Sequence, residues 1–148
     1  MDRVTSKDGT SIAYEHDGRG PAVILVGGAI DDGSENAPLI PELAENFTVY
    51  NYARRGRGES GDTPPYTVER EIEDMQAAVS LAMRDLRRRL GPDTPIFMIG
   101  YSNGAALAVD YALAGLEDAN APRPAGLVLI SPAIAVSPLA VVGRIKTG

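Results

Sequence analysis

The chain has 148 residues, 44% of them hydrophobic and 23% charged, with a net charge of −6 and a pI near 4.7. That length suits one domain with a real core, and the acidity argues against nucleic acid or an anionic membrane as the main partner. Cysteine is absent, which excludes a disulfide framework and a thiolate metal site and is compatible with a cytoplasmic protein.

The opening ten residues lack the apolar core of a secretory leader. Residues 4–6 and 11–15 read as a hairpin turning at Lys7-Asp8-Gly9. The segment HDGRGP reverses the chain again and places His16 in a surface turn. Residues 22–26, AVILV, are wholly apolar, as in a strand covered on both faces, and Gly27-Gly28 ends it. A polar loop, a short helix over 41–45, a strand over 47–52 and the loop ARRGRGESGDTPP follow.

Thr67 then caps a long helix over 68–90, stopped by Gly91-Pro92. Its apolar positions Ile72, Met75, Val79, Met83, Leu86 and Leu90 form one stripe to be buried. Glu69 and Glu71 near its start and Arg87, Arg88 and Arg89 near its end suit the helix dipole, and the arginines read as a solvated helix end. A strand over 95–99, a helix over 103–114 and a strand over 126–130 complete the order. The alternation predicts an α/β fold: a mostly parallel sheet with an antiparallel N-terminal hairpin and helices on both faces. Residues 125–143 carry no charge, but Pro132, Pro138 and two serines favour a strand and an apolar loop over a membrane helix. Residues 132–148 then form an apolar tail to a single domain spanning 1–148.

The stretch FMIGYSNGAALAV, residues 97–109, carries the chemistry. Gly100-Tyr101-Ser102-Asn103-Gly104 fits G-x-S-x-G between a strand and a helix, where the serine takes a strained backbone and displays its hydroxyl at the strand's C-terminal edge. Gly100 and Gly104 give the room such a turn needs, and Ser102 is the candidate nucleophile. Gly56-Arg57-Gly58-Glu59-Ser60-Gly61 matches G-x-G-x-x-G, but five residues intervene before any helix, so it reads as a tight structural loop and not as a dinucleotide site.

Three segments together resemble the α/β-hydrolase family: the serine turn, Val26-Gly27-Gly28-Ala29 at the family's oxyanion loop, and YARRGRGESGD at its D-x-R-G-x-G-x-S loop. Gly27 stands where that family often has histidine and Ala53 where it usually has aspartate. The resemblance implies a serine hydrolase acting on carboxylic esters or related acyl substrates, with the backbone N–H groups of Ala29 and Asn103 as oxyanion hole and no cofactor or metal. It also implies an incomplete fold of about six strands, the last two missing.

The family places its acid and then its histidine after the serine, and no histidine follows Ser102. His16, the one histidine, belongs to the opposite end of the sheet on the run of the strands. The chain by itself is therefore expected to be inactive. The alternative is a non-catalytic, truncated or degenerate module that associates with another chain through its apolar C-terminal tail, and the exposed tail and sheet edge also suit self-association.

Overall fold

The computed structural model describes residues 1–118 and 122–130. The strands are β1 (Asp2–Thr5), β2 (Ser11–Gly18), β3 (Ala22–Val26), β4 (Thr48–Tyr52), β5 (Ile96–Tyr101) and β6 (Gly126–Ile130). A 3-10 helix (Ser34–Leu39) runs into a single-turn helix, α1 (Ile40–Leu43), ahead of the long helix α2 (Val68–Leu90) and α3 (Asn103–Glu117). The expected apolar tail over 132–148 lies outside the described residues.

The six strands form one sheet in the order β1-β2-β4-β3-β5-β6. β1 pairs antiparallel with β2 and β2 antiparallel with β4, and the remaining pairs are parallel. The α/β architecture with its antiparallel hairpin is as the sequence predicts, and β4 lies between β2 and β3. All five residues of β3 are buried, because both faces of the sheet are covered there. On one face Ile24, Val26, Tyr50 and Met98 pack against Met75, Val79, Leu86, Leu107 and Tyr111 of α2 and α3. On the other, Val23, Leu25 and Val49 meet Ile40, Leu43 and Phe47.

Thr67 caps α2, its hydroxyl accepting from the Arg70 amide at 3.2 Å. The buried face of that helix departs from the predicted stripe. Leu90 is exposed, while Glu71 and Asp74 lie fully buried beside Met75. Their partners come from the loop after β4: Arg55 meets Asp74 at 2.7 Å and Asp8 at 2.9 Å, and Arg54 meets Glu71. Glu71 is thus half of an internal ion pair, and the dipole explains less of its placement than Arg54 does.

His16 is not in a turn. β2 continues through Asp17 and Gly18 because its main chain finds a ladder partner in β4, with His16 opposite Tyr50. The imidazole stacks on Tyr50 at 5.7 Å, and its Nε2 lies 3.4 Å from Asp2 Oδ2.

Candidate active site

Ser102 links β5 directly to α3 with φ 55° and ψ −120°, and it holds the only positive φ outside glycine among the described residues. For a residue with a Cβ this is strained backbone, sustained here by packing on both sides. The Ser102 amide donates to the Ile130 carbonyl at 2.9 Å, and its own carbonyl accepts from Ala105 at 3.0 Å.

The flanking glycines have different tasks. A Cβ at Gly100 would lie 2.6 Å from Ala105 Cα and 2.7 Å from the Gly104 carbonyl oxygen, so Gly100 lets the chain fold back on itself. A Cβ at Gly104 would collide with the carbonyl oxygens of Val26 and Gly27. That second contact presses the start of α3 onto the end of β3 and brings Ser102 beside the glycine turn. A methyl group at Gly28 would sit 3.7 Å from Ser102 Cβ and 3.8 Å from a Glu35 carboxylate oxygen. Beside the turn lies an open pocket of about 450 Å³ lined by Glu35, Asn36, Leu39, Tyr101 and Ile130.

Gly27 and Ala53, the two departures from the resembled pattern, have local reasons. At Gly27 a Cβ would run into the Asp31 carboxylate, with Asp31 Cγ only 3.0 Å away. Asp31 is buried and accepts from the amides of Gly33 (2.7 Å) and Glu35 (3.1 Å), so it orders the loop after β3. Ala53 is buried, and its carbonyl accepts from the Ser60 hydroxyl at 2.5 Å as the glycine loop folds over it. The loop closes on itself through the Gly56 amide and the Gly61 carbonyl, 2.9 Å apart, and the next helix after it begins only at Val68.

Arg54, unremarked in the sequence as a site residue, is the central side chain. It is 2% exposed, and its Nη1 donates to the Gly28 carbonyl (2.9 Å) and to Asn103 Oδ1 (3.0 Å) while Nε and Nη2 hold Glu71. Burial opposes its charge, but the Glu71 carboxylate outweighs that and raises the guanidinium pKa above its ordinary value. The glycine turn, the loop after β4, and the starts of α2 and α3 therefore meet at one cation.

His16 is far from this cluster. Pairing sets His16 level with Tyr50, Ile24 and Met98, three strands from β5 and four residues before Ser102. At about 4.8 Å per strand and 3.3 Å per residue the separation is about 19 Å, against about 3 Å for a general base. Among the described residues, no group of three or more His, Asp or Glu side chains could hold a metal, and no helix is long and apolar enough to cross a membrane.

A family model described as serine aminopeptidase, S33, matches residues 19–146. The chain belongs to this family of α/β hydrolases. Its structure resembles that of an α/β hydrolase from Sphaerobacter thermophilus, with a TM-score of 0.76 and 43% identity over 93% of this chain and 47% of that one. It also resembles a thermophilic esterase from Thermogutta terrifontis, with a TM-score of 0.69 and 29% identity over 98% of this chain and 50% of that one. In sequence it is 31% identical over 113 residues to the probable oxidoreductase EphD of Mycobacterium tuberculosis, covering 73% of this chain but 18% of that protein. The α/β hydrolase thus spans about half the length of the solved structures it matches, and far less of the mycobacterial relative.

Proposed function

We propose that this chain carries the nucleophile and oxyanion-hole half of a serine hydrolase acting on carboxylic esters or related acyl substrates. The observation that carries this reading is the Ser102 turn, a strained non-glycine residue at a strand-to-helix junction, set beside Gly28. Ser102 Oγ attacks the substrate carbonyl carbon, and the carbonyl electrons move onto oxygen as the new C–O bond forms. The Ala29 and Asn103 amides receive that oxyanion, and its collapse expels the alcohol and leaves an acyl-enzyme. The serine proton needs an acceptor, and the one histidine of the 148 residues lies out of reach. Turnover accordingly requires a histidine from outside this sequence, and an acid to orient it.

The test is labelling of the chain by a fluorophosphonate, read by mass spectrometry beside Ser102→Ala. A slow adduct on the Ser102 peptide, absent from the variant, is expected, and no adduct would reject the nucleophile. p-Nitrophenyl acetate should give no burst above the Ser102→Ala control. A serine-dependent burst would mean that a base is present after all.

The sheet edge supports a second reading, a non-catalytic module that binds another copy of itself. Val128, Leu129 and Ile130 of β6 are 51%, 37% and 36% exposed on a strand at the sheet's end. Dimerisation that is lost when the residues after Pro132 are deleted would favour this reading, and a monomer that unfolds cooperatively would count against it.

A further inference from the structure

Two arginines of the loop after β4 reach behind the glycine turn. Arg54 Nη1 donates to the Gly28 carbonyl at 2.9 Å, to the Gly27 carbonyl at 3.4 Å and to Asn103 Oδ1 at 3.0 Å. Arg57 Nε donates to the Ala29 carbonyl at 2.5 Å. A trans peptide is a rigid plane whose N–H points away from its C=O. Holding the Gly28 carbonyl therefore also aims the Ala29 N–H, and holding the Ala29 carbonyl fixes the next plane. Both planes that bracket Ala29 are gripped from behind. The same Arg54 nitrogen steadies the side chain of Asn103, whose backbone N–H is the second proposed donor.

Both arginines rest on one carboxylate. Glu71 Oε1 accepts from Arg54 Nη2 at 2.8 Å, from Arg57 Nη1 at 3.3 Å and from the Tyr66 hydroxyl at 3.0 Å. Glu71 is fully buried, and an ion cluster of this kind is a poor way to gain stability compared with apolar packing. It is a good way to fix directions. The Asp31 and Glu35 carboxylates flank the same turn, so what the two guanidinium groups supply there is direction and not net charge. Charge-assisted bonds to the carbonyls also polarise the peptides and strengthen their N–H groups as donors.

We propose that Arg54 and Arg57, seated on Glu71, are positioning residues that aim the Ala29 and Asn103 amides at the oxyanion formed when Ser102 attacks. This rests on the reading of Ser102 as nucleophile.

The test compares wild type, Arg54→Lys, Arg57→Gln and Ser102→Ala in saturation kinetics of fluorophosphonate labelling, with amide NMR spectra alongside. Both arginine variants should label about tenfold more slowly at saturation, less than the loss expected from deleting a donor outright. The half-saturating reagent concentration should stay within about twofold, since only the transition state uses the donors. The Ala29 and Asn103 amide resonances should shift in the same variants. Wild-type labelling rates in arginine variants that still melt cooperatively would overturn the proposal while leaving the nucleophile intact. Wild type labelling no faster than Ser102→Ala would instead remove the nucleophile, and the positioning role with it. The Arg57 side chain is 25% exposed, so Arg57→Gln decides the matter if Arg54→Lys does not fold.

Discussion

Alanine at Gly104 and alanine at Gly115 are the same substitution in the same helix, and the structure gives them opposite signs. Each removes the penalty of a helical glycine, worth about 1 kcal/mol. At Gly115 nothing among the described residues lies within 4 Å of the added methyl group, so that gain should stand and raise the melting temperature by about 3 °C. At Gly104 the methyl would run into two backbone carbonyls, with the Val26 carbonyl carbon 2.7 Å away where about 3.7 Å is comfortable. Neither β3, buried along its length, nor the Ser102 turn can absorb that, so α3 must retreat by about 1 Å. A gap of that size forfeits roughly a quarter to a half of each facing contact made by Ala105, Leu107, Ala108 and Tyr111. The net cost should be about 3 kcal/mol, near the upper end for an overpacked core, and the melting temperature should fall by about 10 °C. Differential scanning fluorimetry of the three proteins suffices. If Gly104→Ala melts at or above wild type, the close approach of α3 to β3 is not what the glycine serves.

Asp8 accepts from Arg55 at 2.9 and 3.3 Å, and those bonds, helped by Thr10, hold its carboxyl well below the usual carboxylate range. Its stabilisation is complete above the ordinary value of about 3.9 and is lost as pH falls toward the lower folded-state value. Asp8→Asn should therefore melt below wild type at pH 7, with the gap narrowing below about pH 4, and a gap that stays constant would remove the linkage. The Tyr52 hydroxyl is buried with no hydrogen-bond partner among the described residues. Tyr52→Phe should leave stability unchanged or raise it by about 1 kcal/mol in urea unfolding, and a clear loss would show that the hydroxyl is bonded.

The serine turn was legible because its causes are local: an apolar strand, glycines two places either side of Ser102, and small residues after it. Residues 22–26 were legible for the same kind of reason, since an uninterrupted apolar run has few other uses. Glu71 and Asp74 lie beyond what local sequence dictates. Their positions one turn before and one residue before Met75 put both on the inward stripe, and two buried acids require buried cations. That signal was present in the spacing. Which cations answer it was not, because Arg54 and Arg55 become neighbours only when the end of β4 lies against the start of α2. His16 was misread for a related reason. Asp17 and Gly18 are turn formers by preference, and the ladder with β4 overrides them.

The Ser102 amide is bonded to the carbonyl of Ile130, the final residue of the outermost strand. The strained turn is therefore tethered to a strand whose one neighbour among the described residues is β5. Fraying of β6 slackens the tether, and a strand added along the side away from β5 draws it taut. Deuterium uptake at the Ser102 amide consequently works as a gauge of the sheet's rim, reporting occupancy of that edge from within the candidate active site.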